Sequence, residues 1–223
     1  MIYYHFTEPT LRNGEPIPPI GEWITCKGKI VPCKNGLHAS PDAFDALQYA
    51  PGNLLHRVEL DGDITPHGDP VDKFAARKRM IVASIDATGI LRLFARRVAL
   101  DVIDLWDAPP IVKEYLESGD ESKRADADSA ASSAASYAAS WAASSAACPA
   151  FRAASYAAYG ADSAACAASW AASSAASSWA ASWAASSASW AASSAAYAAK
   201  QKLYRGWFNE MVDTAFALTE VKS

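Results

Sequence analysis

The sequence predicts two parts: an α+β N-terminal domain with a small, mainly antiparallel sheet, then an all-α, Ala/Ser-rich helical scaffold. Three observations carry this. In residues 1–119, short apolar runs are punctuated by Gly, Pro and Asn-Gly signals, as in short strands joined by tight connections. From Asp126 to Lys200 the chain is almost entirely alanine and serine, and alanine pairs such as Ala130–Ala131, Ala134–Ala135 and Ala138–Ala139 recur every four residues. That beat lies near the helical turn and far from the two-residue strand period, and alanine is the best helix former. Lastly, Trp183, Trp190, Tyr197 and Tyr204 are spaced by seven, a series that Met211 and Leu218 continue. Such a seam of large residues in a field of alanine is a heptad pattern that lets another backbone come close. The expected boundaries are 1–119 for the α+β domain, 120–128 for a charged linker and 129–223 for the helical region.

In chain order, Ile2 to Thr7 reads as the first strand, ended by Glu8-Pro9. Arg12 to Gly21 is loop, because Asn13-Gly14 and Pro16, Pro18 and Pro19 break regular structure. Glu22–Cys26 and Lys29–Val31 read as short strands turned at Lys27-Gly28, and Leu37–Ala39 as a third after Asn35-Gly36. Ser40 is the expected N-cap of a helix from Asp42 to Tyr49, with Pro41 in its first turn. Leu54–Leu60 is a strand turned at Asp61-Gly62 and continued at Ile64, Thr65–Asp72 a polar loop, and Arg79–Ile85 another strand. Asp86 or Thr88 caps a helix whose apolar face runs through Ile90, Leu91, Phe94, Val98, Val102 and Leu105. A short helix from Pro110 to Glu117 ends at Gly119. In the tail, Cys148-Pro149 and Gly160 are the expected helix breaks.

Composition narrows the classes. A net charge of −4 gives no basic footprint, so neither nucleic acid nor a membrane surface is an expected partner. No apolar run is long and serine-free enough to suggest a membrane span. The start, Met1-Ile-Tyr-Tyr-His, does not resemble a secretory leader, so a cytoplasmic location and free thiols at Cys26, Cys33, Cys148 and Cys166 are expected. The hydrophobic fraction of 51% overstates the core, because alanine inflates it.

Candidate chemistry centres on two histidines. His5 lies in the first strand beside Thr7, and His38 in the short strand before Ser40. Both strands run into Pro- or Gly-bearing loops, which place side chains at a cleft rim. A ligand is expected between them, His38 stacking on a base and His5 donating to a ribose or carbonyl. Arg12 and Lys34 are the nearest basic residues for a phosphate. The competing expectation is that His38 satisfies a buried backbone carbonyl. Cys26, Cys33 and His38 do not have zinc-ribbon spacing, so no metal site is expected. No Walker, GxGxxG, GxSxG or HExxH motif is present, and no catalytic residue is assigned.

The segments Lys34-Asn35-Gly36-Leu37-His38-Ala39-Ser40, Gln48-Tyr49-Ala50-Pro51-Gly52, Val58-Glu59-Leu60-Asp61-Gly62-Asp63 and Val71-Asp72-Lys73-Phe74-Ala75-Ala76 resemble an uncharacterised domain of phage and bacterial proteins, often followed by Ala-rich tails. That likeness covers about residues 22 to 85 and implies a mobile-element context without an activity. A more distant resemblance is to the ADP-ribosyltransferase fold. His5 with Thr7 matches its first-strand His, and Gly36-Leu37-His38-Ala39-Ser40 matches its second strand with His38 in the Tyr position. The likeness implies NAD as a substrate, but there is no matching third-strand Glu, since Glu59 lies on another strand.

Function is therefore expected to be binding and assembly rather than catalysis. The N-terminal domain would hold a small ligand, a nucleotide being the candidate, or a host protein, using His5, Thr7, Arg12, Lys34 and His38. The tail would self-associate into a homo-oligomer. No cofactor is expected, except NAD if the alternative, an ADP-ribosyltransferase-like enzyme, holds. A phage anti-defence role fits the resemblance, and a purely structural or virion-associated role is the third option.

Overall fold

A computed structural model describes residues 1–11, 14–101, 103, 108–131 and 187–220. The chain divides into two compact units: Met1–Thr88 with Phe208–Ser223, and Gly89–Trp207.

The first unit is α+β. Its strands are β1 (Tyr3–Thr7), β2 (Trp23–Thr25), β3 (Leu37–Ala39), β4 (Leu54–His67) and β5 (Lys73–Asp86), all antiparallel, in the order β1-β4-β5-β2, with β3 also on β5. β4 pairs along the whole of β5, so β3 (opposite 74–76) and β2 (opposite 78–80) share its other edge. Beyond β3, Ser40 exchanges two backbone hydrogen bonds with Tyr4 at 2.8 and 2.9 Å. Strands β1, β4, β5 and β3 are thus hydrogen-bonded in a ring, which brings the two histidine-bearing strands side by side.

β4 and β5 are longer than their sequence pattern suggests. Asp61-Gly62 is a bulge inside β4 and not a turn: the register shifts between Asp61 and Ile64, and Gly62 takes a φ of +77°. Pairing then resumes through His67↔Lys73, so residues 65–67 belong to a strand where a polar loop was expected. Lys29–Val31 forms no strand, and Val31 makes only a local bridge to Asn35. Helix α1 spans Ala43–Leu47 and is capped by Asp42, which accepts from Asp45 N at 2.8 Å. The expected cap, Ser40, is instead committed to Tyr4. Gly36, at a φ of +146°, admits β3 to β5, because a Cβ there would meet Ala75 Cβ at 3.0 Å.

Strand alternation puts Tyr3, His5 and Thr7 on one face of β1, opposite Val58 and His56 of β4. Tyr3, Ala39, Val58 and Ile81 form a buried cluster there, with Phe74 edge-on to Tyr3 at 5.3 Å. Tyr4 and Arg57, on the other face, meet the C-terminal part of the last helix (Ser187–Glu220). Asp213 accepts from Tyr4 OH at 3.2 Å and Arg57 Nη2 at 2.9 Å, Arg57 lies 4.4 Å over the Phe216 ring, and Phe208 packs on Phe44 at 6.5 Å. Phe208, Val212 and Phe216 are fully buried in this unit.

In the second unit, residues 89–101 are helical and bury Leu91, Phe94, Ala95, Val98 and Ala99. Three of the expected apolar-face residues, Leu91, Phe94 and Val98, are among them; Val102 and Leu105 lie outside the described residues. A nine-residue helix, Pro110–Ser118, ends at Gly119 with a φ of +67°. The charged stretch from Asp120 to Asp128 carries structure of its own: Glu121–Lys123 is a 3₁₀ turn, 124–131 is helical, and Ala127 and Ala131 join a core with Val112, Tyr115 and Leu116. Lys200 and Tyr204 both bond Asp101, and Arg97 lies 4.0 Å over Trp207.

The expected tail seam falls only partly on the described residues. Trp183, Cys148-Pro149 and Gly160 lie outside them. Trp190, Tyr197 and Tyr204 are in the last helix and Tyr204 is buried, but Leu218 is 60% exposed. Burial steps by four instead of seven, through Tyr204, Phe208, Val212 and Phe216. A four-residue step keeps side chains stacked on one face of a helix, so this i, i+4 stripe replaces the heptad at the C-terminal end.

Candidate functional site

A cavity of about 490 Å³ opens in the first unit. Its wall includes His5 and Thr7 from β1, Cys33 from the turn before β3, His38 from β3, and Lys73 and Arg79 from β5. Of the five residues expected to bind a ligand, His5, Thr7 and His38 share this wall. Lys34 is exposed in the neighbouring turn and does not line it, and Arg12 lies outside the described residues. The cationic groups on this wall, Lys73 and Arg79, come from β5, which is remote in the chain and pairs with β3.

Arg79 is the most deeply buried charged group on the cavity wall, which also carries Lys73 and Glu8. It is only 5% exposed, its Nη1 donates to the His38 carbonyl at 2.6 Å, and its Nε has no hydrogen-bond partner. Burial lowers its pKa to about 10, which leaves the guanidinium charged at neutral pH. Among the described residues no carboxylate forms a salt bridge with it. A buried charge without a counter-ion is costly, and an anionic ligand would offset that cost.

His38 is a linking residue. Its carbonyl accepts from Arg79, and its Nε2 accepts from the Cys33 backbone N–H at 3.1 Å. An accepting Nε2 places the ring proton on Nδ1. The ring therefore satisfies a backbone amide where a carbonyl was expected, and this holds the Cys33 turn against β3.

His56 was not singled out from sequence, yet it is almost fully buried, with Nε2 2.8 Å from Thr7 Oγ1 and Nδ1 2.7 Å from Ser84 Oγ. Burial, and then the Arg79 charge, lower its pKa from 6.5 to about 4. Its signal in the sequence was only its alternation within Leu54–Leu60. Thr7, expected to touch ligand, is engaged with this ring.

Around Cys33 the side chains are dense. Its Sγ lies 3.6 Å from His67 Nε2 and 3.3 Å from Lys73 Nζ, and Lys73 stands 3.8 Å over the Tyr49 ring. Tyr49 OH donates to Asp72 at 2.8 Å, and burial with this carboxylate raises its pKa well above the usual phenol range. Cys26 and Cys33 carry free thiols, and among the described residues no three His, Cys, Asp or Glu side chains gather as a metal would require.

Residues 1–93 match the family model described as a domain of unknown function (DUF7666). The N-terminal region is thus similar to an uncharacterised domain, and the match encloses the whole cavity wall. No curated protein and no solved structure matches the chain. Among the described residues no helix is long and apolar enough to cross a membrane.

Proposed function

We propose that the N-terminal domain binds a small anionic ligand, a nucleotide being the favoured class, in the cavity walled by β1, β3 and β5. The observation that carries this is Arg79: a buried guanidinium at a 490 Å³ cavity, with an unsatisfied Nε and no carboxylate partner among the described residues. A phosphate offers the planar fork of an arginine paired acceptors and offsets its charge. His5 adds a ring at the same wall, and Lys73 a second cation. The volume lies in the range of ordinary small-molecule sites. Lys34, exposed in the neighbouring turn, is then peripheral to the anion.

The Ala/Ser-rich tail is proposed as an all-α scaffold that self-associates, supported by its four-residue alanine beat and by the 34-residue helix in which it ends. A cytoplasmic, phage or mobile-element binding and assembly protein, with an anti-defence role through ligand or host-factor sequestration, fits both halves. An ADP-ribosyltransferase-like activity on NAD is the second reading, favoured by His5 and His38 sharing one cavity. Against it stands the His38 ring, held by the Cys33 amide.

Native mass spectrometry of the full-length chain with NAD, ADP-ribose and cyclic nucleotides tests the proposal. One adduct per chain with at least one of them is expected, and release of nicotinamide from NAD would favour the second reading. Bare protein with every ligand would contradict both.

A further inference from the structure

Cys33 lies on the same cavity wall, within reach of a second set of side chains that shares Lys73 with the anion site. His67 and Lys73 are a cross-strand pair at the end of the β4–β5 ladder. One rung therefore presents an imidazole and an ammonium to the same sulfur, at 3.6 and 3.3 Å from Cys33 Sγ. Lys73 is 8% exposed, and among the described residues no carboxylate forms a salt bridge with it. Its contacts are the thiol and the Tyr49 ring.

The backbone at Cys33 is unusual too. Val31-Pro32-Cys33-Lys34 is a turn closed by Lys34 N to Val31 O at 3.0 Å, and Cys33 takes a φ of +64°. Pro in the second place and positive φ in the third define the turn in which glycine ordinarily fills the third. A side chain there is strained, because its Cβ crowds the following carbonyl oxygen. Strain of this kind, held in place by surrounding structure, gathers at functional positions. Here it sets a thiol on the cavity wall beside a base and a cation. The His38 carbonyl and ring, bonded to Arg79 and the Cys33 amide respectively, fix the guanidinium and the cysteine turn to one residue of β3.

The geometry points to Cys33 as a nucleophile that attacks an electrophilic carbon of the small anion held by Arg79, with His67 accepting the thiol proton. The substrate class rests on the anion-binding proposal above; the thiol, base and cation do not. The substrate is a small carboxylate- or phosphate-bearing molecule with a displaceable group on a nearby carbon. In the step, an S–C bond forms and the bond from carbon to the leaving group breaks. The leaving group departs with that electron pair, and the thiol proton passes to His67 Nε2 and on to the leaving group or solvent. Lys73 offsets the negative charge as it develops on sulfur.

The test uses the full-length chain and two alkylating reagents: iodoacetate, which carries a carboxylate beside its displaceable iodide, and iodoacetamide, its neutral counterpart. Labelling is followed at each cysteine by peptide mass spectrometry, with Cys26 as the internal reference. Cys33 is expected to outpace Cys26 with both reagents by about tenfold or more, as an adjacent base contributes at least that much. The iodoacetate-to-iodoacetamide rate ratio should be higher at Cys33 than at Cys26, and inorganic phosphate should lower it only at Cys33. His67→Gln should slow Cys33 with both reagents and leave Cys26 unchanged. Equal rates at Cys33 and Cys26 with iodoacetamide, or a Cys33 rate indifferent to His67→Gln, would overturn the nucleophile even where a nucleotide binds. A fast Cys33 with no preference for the anion and no response to phosphate would overturn the substrate class and leave the nucleophile in place.

Discussion

At neutral pH the His56 ring is uncharged, and its two nitrogens bridge Thr7 and Ser84. Its folded pKa, about 4, lies below the ordinary 6.5, so the unfolded chain takes up this proton first as pH falls. The stability it supports is complete above about pH 6.5 and is lost as pH drops through the folded value, a total of about 3 kcal/mol. Urea denaturation at pH 7, 5.5 and 4 should show that fall, and His56→Gln should flatten it relative to wild type. A parallel pH profile in the variant would refute the assignment. Cys33 gives the opposite kind of expectation. Cys33→Gly relieves a positive φ, so it should be neutral or stabilising by up to about 1 kcal/mol while abolishing labelling at that position. A clear drop in melting temperature would show that the turn does not carry the strain inferred for it.

The elements were legible where local chemistry decides them. β1, β3, the Gly119 helix end and the face through Leu91, Phe94 and Val98 follow from alternation, turn residues and helical spacing. Long-range pairing was not legible. Asp61-Gly62 reads as a turn, and only the continued pairing of β4 with β5 turns it into a bulge. Ser40 reads as a cap, but Tyr4 claims its backbone and Asp42 takes the role. The seven-residue series in the tail has the same origin: sequence spacing shows which residues can share a face, and the packing partner selects which do. Phe208 and Phe216 are fully buried while Leu218 is exposed. Phe216→Ala should therefore cost about 3–5 kcal/mol, and Leu218→Ala under about 0.5. Chemical denaturation of the two variants decides between the four-residue stripe and the heptad; similar losses from both would favour the heptad.

For the whole molecule, the cavity was half legible. His5 and His38 could be placed at one rim because both strands are short and end in loops, and the structure puts both on the cavity wall. Arg79 and Lys73 could not be placed there, since nothing local marks which residues of a long hairpin will face a strand and a turn some 40 positions earlier. For the tail, the helical beat predicts self-association of the full-length chain. Sedimentation velocity should show a mass above that of one chain, with Trp190→Ala shifting the distribution toward monomer; a monomer at all concentrations would contradict that role. The central claim is the anion at Arg79, and calorimetry with ADP-ribose tests it most directly, on wild type and on an Arg79→Gln variant shown by circular dichroism to be folded. The account predicts one site per chain in the wild type and at least a tenfold weaker affinity in the variant, the scale of one charge-assisted hydrogen-bonded contact. Equal affinities in the two proteins, or no heat with the wild type, would contradict it.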